Sequence, residues 1–269
     1  MKNEKKMLLQ NKNAIIYGAG GSLGGAIAKA FALNGARVFL TGRNLSSVQK
    51  TADEITTLGG RAEVDQVDAM DEKAIRDHLQ RVGEVDISFN AIAVQDVQDI
   101  PLVNMIPEDF LRPISIMMKT QFLTATGAGR LMMKQRRGII LSLTATPGGI
   151  AYPYTGGFAT ACCALESFSS NLAGELGVYG VRVVNMRSAG SPDSRVFQEA
   201  IDNNREEMEP VLRKMTDDTM LKKLPLMADI ANLAVFLSSE QARMITGVTV
   251  DVTCGTTAGL NYRAEAVRN

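Results

Sequence analysis

Short apolar runs alternate along this chain with longer segments whose apolar residues recur at helical spacing. The first run, residues 14–17, ends in a cluster of glycines and opens into an Ala-rich helix reaching about Leu33. Gly35-Ala36 stops that helix, and residues 37–41 read as a second strand with Gly42-Arg43-Asn44 as its exit loop. A helix over 45–58 follows, capped by Ser46 or Asn44. Residues 62–67 alternate and read as a third strand ending at Asp68. Then come a polar helix over 71–82 and a fourth strand over 85–89, ending at Asn90-Ala91-Ile92-Ala93. A long helical stretch covers 107–136, where Pro113 should kink the first turns or mark a break. Residues 138–143 form a fifth strand, 144–157 a loop rich in Gly, Thr, Pro and Tyr, and 158–176 a second long helix. A sixth strand over 181–186 leads into a polar segment, 188–224, read as a mobile lid of loop plus one or two helices. A helix over 227–237 and a last strand over 247–252 complete the pattern.

Strands that alternate with helices predict a parallel sheet covered on both faces. The repeated strand–helix order predicts an α/β, Rossmann-type, doubly wound fold. No linker-like break or short-period repeat interrupts it, so residues 1–269 read as one domain, with 1–12 a frayed lead-in. Ligands of such folds sit at the C-terminal strand ends. That rule gathers Gly18, Arg43, Asp68, Asn90, Thr144 and Arg187 near one rim.

Composition narrows the partners. Lys plus Arg equals Asp plus Glu, 29 of each, so no electrostatic footprint for nucleic acid or an anionic membrane is present. No apolar run is long enough to span a bilayer, and the basic N-terminus lacks the apolar stretch of a secretory signal. Three cysteines, two of them adjacent at Cys162 and Cys163, suit a reducing cytoplasm rather than a disulfide framework. The one histidine, His78, falls in a polar helical pattern and reads as an exposed residue. One histidine excludes a multi-histidine metal site, and its place in the pattern excludes a histidine-based triad. No metal is expected.

The glycine-rich stretch carries the first chemistry. Glycine adopts positive φ and lets a ligand approach without a Cβ in the way. The following helix N-terminus offers unpaired N–H groups and partial positive charge, which suits a diphosphate. Strand, glycine turn and helix together form a dinucleotide-binding pattern. Gly18, Gly20, Gly21, Ser22, Leu23 and Gly24 are its candidate residues. If no nucleotide binds, Tyr17 and Ser22 are the residues that narrow the cradle.

These features resemble the short-chain dehydrogenase/reductase family over almost the whole chain, from Ala14 to about Thr257. The family's first turn, T-G-x-x-x-G-x-G, corresponds to the stretch from Tyr17 to Gly24. Gly18 and Gly24 match, and Tyr17 and Ser22 depart from it. Asp68, followed by Ala69, resembles the aspartate that holds the adenine amino group. Asn90-Ala91-Ile92-Ala93 resembles the N-N-A-G that closes over the adenine ribose, and Ile245-Thr246-Gly247 matches the usual C-terminal end. An acidic residue ending the second strand would bind the adenosine 2′-hydroxyl of NAD and repel a 2′-phosphate. Here Gly42 and Arg43 stand there, and a guanidinium matches phosphate in charge and geometry. The expected cofactor is NADP(H). Arg187 and Gly190 fall where the family contacts the nicotinamide. Arg187 binds cofactor or an anionic substrate, or makes a structural salt bridge.

The resemblance also implies an Asn-Ser-Tyr-Lys tetrad, with tyrosine passing the proton, lysine lowering its pKa and holding ribose, and serine polarising a carbonyl. Aligned on the helix from Phe158, and on Phe122 for the asparagine, those positions carry Met117, Ala145, Phe158 and Cys162. Phenylalanine has no proton to give, and cysteine supplies no fixed positive charge. A general acid is worth on the order of 10²–10⁴-fold, so the usual alcohol–carbonyl reaction is not expected. Tyr154, Tyr152 and Thr144 are the candidates for displaced chemistry, beside readings as packing or loop-stabilising residues. Cys162 reads as a small buried apolar residue. Two functions stay open: an oxidoreductase with a non-standard active site acting on a small molecule, or a non-catalytic NADP(H) sensor or oligomeric partner. The resemblance further implies a homodimer or homotetramer through the two long helices.

Overall fold

The structure, a computed structural model, describes residues 7–259. Seven parallel strands form one sheet: β1 (Asn13–Tyr17), β2 (Arg37–Gly42), β3 (Arg61–Gln66), β4 (Ile87–Asn90), β5 (Gly138–Ala145), β6 (Val181–Ser188) and β7 (Thr249–Val252). Their order is β3-β2-β1-β4-β5-β6-β7. Strand order reverses between β1 and β4, which makes a crevice at their C-terminal ends. Tyr17 is level with Thr41 on one side and Asn90 on the other, so the three strands reach the rim together. This is the single-domain, doubly wound fold expected from the pattern.

Alternation along the strands builds two cores. Ile16 packs with Ile27, Phe31 and Ile230, beneath α1 (Ser22–Leu33), α2 (Leu45–Thr57) and α8 (Met227–Ser238). Its neighbour Ile15 points the other way, to Leu79, Met132 and Leu172, beneath α3 (Glu72–Val82), α4 (Pro107–Gln135) and α5 (Gly157–Leu176). Asn44 caps α2 by accepting from the Ser46 and Ser47 N–H groups, and Asp71 caps α3 by accepting from Lys73 and Ala74. No helix among the described residues is long and apolar enough to cross a membrane.

Two expectations need correction. Met7–Lys12 is not frayed: Leu9 is fully buried, and its N–H donates to the Asn34 carbonyl at 2.8 Å. The apolar side chain anchors the segment to the end of α1. Residues 1–6 of the expected lead-in lie outside the described residues. Pro113 does not break its helix: α4 runs unbroken across it. The proline removes one intrahelical bond, and its buried ring is held where α4 packs along α5. The lid segment contains two helices, α6 (Arg195–Asn203) and α7 (Arg205–Asp217), within the expected loop plus one or two helices.

Gly174 offers a stability test on α5. It is exposed, and a Cβ there would meet nothing within 4 Å. Gly174→Ala is expected to raise stability by about 0.5–1 kcal/mol, because alanine loses less backbone entropy in a helix. An upward shift of the urea midpoint checks it, and a lower midpoint rejects it.

Candidate functional site

A cavity of about 780 Å³ opens at the crevice between β1 and β4. Gly18, Gly20 and Gly21 form one wall; Arg43, Asn44 and Ser47 form the next. Asp68, Ala69 and Met70 follow, and Ala91, Ile92 and Ala93 close the far side. Gly18 turns the chain at φ 79°, and a Cβ there would lie 2.9 Å from the Ala91 carbonyl oxygen. Only glycine lets β1 leave the sheet this close to the 91–93 segment. The residue before α1 is Gly21, which gives no side-chain cap, and the first turn holds no acidic residue. Among the described residues the N-terminal N–H groups of α1 are thus free of side-chain partners, unlike those of α2 and α3.

Of the sequence-derived cofactor residues, Gly18, Gly20, Gly21, Arg43, Asp68, Ala69 and Ala91 line this cavity. The others do not. Asn90 is buried behind the wall, where its amide donates to Thr124 Oγ1 and its Oδ1 accepts the Ile92 N–H at 2.9 Å. Its role is to shape the 91–93 segment. Ser22, Leu23 and Gly24 sit in the first turn of α1, outside the lining. Gly190 packs tightly against Phe197 and Met215 of the lid. Asp68 Oδ1 accepts from the Met70 N–H at 2.9 Å. Arg43 is exposed, and no carboxylate lies within salt-bridge range of it among the described residues.

Arg187 takes the structural option. Its Nε donates to Glu166 Oε1 at 3.0 Å and its Nη1 to Asp251 Oδ1 at 2.9 Å. Thr144, at the end of β5, joins the same network: its hydroxyl donates to Glu166 Oε1 and accepts from Asn185 Nδ2, both at 2.8 Å. Thr144 is buried and already engaged, so it has no free hydroxyl for a substrate. A fork-shaped guanidinium held by two carboxylates fixes the β5, β6 and β7 ends against α5.

Beside this network the four positions that the resemblance assigned to catalysis gather in one apolar cluster. Met117 and Cys162 are buried with Ala161 and Leu165, and Ala145 and Phe158 pack against them. Burial pushes the Cys162 thiol up to about 12, so it stays protonated at neutral pH. Tyr152 and Tyr154 lie on the loop before α5. Tyr154 is half exposed and adopts φ 64°, rare for a non-glycine residue. Its carbonyl accepts from the Asp99 N–H at 2.8 Å, tying this loop to the one after β4.

His78 and Tyr17 are placed otherwise than expected. His78 is fully buried rather than exposed, and Tyr17 turns away from the cradle, so it does not narrow it. Their rings meet edge-on at 6.1 Å between centroids. His78 Nε2 lies 3.4 Å from Asp65 Oδ2, and the Tyr17 hydroxyl and both His78 nitrogens have no hydrogen-bond partner among the described residues. The signal was present: Ile75, His78, Leu79 and Val82 share one helical stripe. Arg195, on the lid, lines the cavity as well. No local motif pointed to it.

Comparison with known proteins agrees with this architecture. The family model described as Enoyl-(Acyl carrier protein) reductase matches residues 18–257. The chain is 31% identical to Tropinone reductase-like 2 of Erythroxylum coca over 256 residues, 92% of this chain and 90% of that one. It is 29% identical to an uncharacterized oxidoreductase of Bacillus subtilis over 245 residues, 89% and 88% of the two chains. The solved structure of a 3-oxoacyl-[acyl-carrier protein] reductase with bound NAD from Brucella melitensis superposes with a TM-score of 0.83. That pair is 26% identical and covers 94% of each chain. The chain belongs to the short-chain dehydrogenase/reductase family.

Proposed function

We propose that this protein is a cytoplasmic, NADP(H)-dependent oxidoreductase with a non-standard active site. One observation carries the cofactor choice. The corner of the cavity next to the end of β2 holds Gly42, Arg43, Asn44 and Ser47, with no carboxylate there. The exposed Arg43 guanidinium there, with no salt bridge among the described residues, suits a phosphate on the adenosine ribose. The glycine wall and uncapped α1 suit the diphosphate, and Asp68 with the 91–93 segment suits adenine and its ribose. The bound NAD of the Brucella relative supports a nicotinamide cofactor in this crevice.

When bound, the nicotinamide supplies hydride transfer. The chain's own residues orient the cofactor and exclude water. Met117, Ala145 and Phe158 have no proton to give, and buried Cys162 holds its own firmly, so the site suits a small substrate needing little proton assistance, such as an activated alkene or imine. Tyr154 and Tyr152 remain the residues able to present a phenolic hydroxyl nearby. The reading includes a homodimer or homotetramer docked through α4 and α5, where Leu111 and Phe122 are exposed.

Fluorescence titration is expected to show NADPH binding at least about 10-fold tighter than NADH, since hydrogen bonds to charged groups are worth about 1.5–3 kcal/mol. Arg43→Ala should bring the two together by weakening NADPH alone. Equal affinities in the unaltered protein would reject the NADP(H) preference. NADPH oxidation with an enone, imine and carbonyl panel then tests catalysis. Tight binding without turnover would favour the sensor or partner role instead.

A further inference from the structure

We propose that Arg195 is a diphosphate-binding residue that the lid delivers to the cofactor cavity, and that Ser22 is the latch that sets its position. The proposal rests on the reading of this cavity as a nucleotide site.

Arg195 is the first residue of α6, yet it lines the same cavity as Gly18, Gly21 and Arg43. Its backbone N–H donates to Ser22 Oγ at 3.1 Å. Ser22 is the first residue of α1, whose N-terminus no side chain caps. The latch therefore places the base of the Arg195 side chain at the uncapped end of α1, where a diphosphate would rest. Arg43 occupies the other end of the glycine wall, beside Asn44 and Ser47. The two arginines thus divide the work: Arg43 faces the ribose phosphate and Arg195 the diphosphate.

No described residue holds the guanidinium firmly. Among the described residues its one ion pair is with Glu199, one turn along α6, with Nε and Oε1 3.6 Å apart and both side chains more than half exposed. A pair of that kind on a helix surface contributes little and exchanges readily for a better anion. The start of the lid is itself anchored, because the Asp193 carboxylate accepts from the Met227 N–H at 3.1 Å. Arg195 is therefore presented from a fixed base rather than from a free chain.

Calorimetric titration with AMP, ADP and 2′,5′-ADP separates the two arginines. Arg195→Ala is expected to weaken ADP by about 10-fold and leave AMP within about 2-fold, the loss of one charge-assisted contact to the β-phosphate. Arg43→Ala should leave the ADP-to-AMP ratio unchanged and remove the preference for 2′,5′-ADP over AMP. Ser22→Ala, which frees the Arg195 N–H, should lower the ADP-to-AMP ratio in the same direction as Arg195→Ala. An unchanged ADP-to-AMP ratio in Arg195→Ala would overturn the proposal. Absence of ADP and NADPH binding in the unaltered protein would instead overturn the nucleotide reading beneath it.

Discussion

Gly24→Ala is expected to destabilise the fold by about 2 kcal/mol and to weaken NADPH binding by roughly 100-fold, since overpacking a close contact costs about 1–3 kcal/mol. Gly24 lies in the first turn of α1, and a Cβ there would sit 2.5 Å from the Gly18 carbonyl oxygen. The Gly18 carbonyl carbon and Ala19 Cα would lie at 3.1 and 3.3 Å. These are backbone atoms and cannot rotate aside. Either α1 slides away from β1 or the turn opens. Opening it breaks the bond in which the Gly21 N–H donates to Gly18 O at 3.1 Å. Both outcomes move the glycine wall that lines the cavity, so stability and binding should fall together. Urea unfolding and NADPH titration of the same preparation check this. A variant as stable as the parent, with unaltered binding, would show that the helix does not need this close approach.

Lowering the pH from about 6.5 to about 4 is expected to remove on the order of 3 kcal/mol of stability through His78 alone. Burial pushes its folded value down to about 4, against about 6.5 in an unfolded chain. The native state thus keeps the imidazole neutral where the unfolded state takes up a proton. Stability is complete above the unfolded value, falls as the pH drops below it, and levels off beneath the folded value. The slope approaches about 1.4 kcal/mol per pH unit between the two. Asp65 opposes the shift, while Arg81 adds to it. Tyr17, which meets the imidazole ring, is itself shifted upward by burial and stays neutral throughout this range. The chain has no other histidine to titrate in this window. Urea unfolding at a series of pH values should therefore show a slope in the parent that His78→Leu lacks. Parallel curves for the two proteins would mean that His78 is solvated in the folded state.

The element order and the cradle were legible because their signals are local. Alternating apolar residues, the capping residues Asn44 and Asp71, and the glycines from Gly18 each act over a few positions. Their alternation implied a doubly wound parallel sheet, and the strand order itself came from the structure. His78 was legible too, had its helical stripe been weighed above the polarity of its neighbours. Leu9 was not, because its burial depends on the end of α1 folding back to meet it. Arg187 was open between ligand and ion pair, since nothing near it in sequence says that Glu166 and Asp251 converge on it.

The sequence by itself determined a doubly wound sheet, a glycine turn at its crevice and an arginine just after the second strand. Periodicity, turn chemistry and charge are properties of short stretches, and they act before any distant contact forms. Only the tertiary structure decided which residues share the cavity. Ser22 and Arg195 are 173 residues apart and meet across a hydrogen bond. Met117, Ala145, Phe158 and Cys162 come from three elements and close into one apolar cluster. Such pairings depend on how layers pack, and packing selects among residues that no local pattern distinguishes.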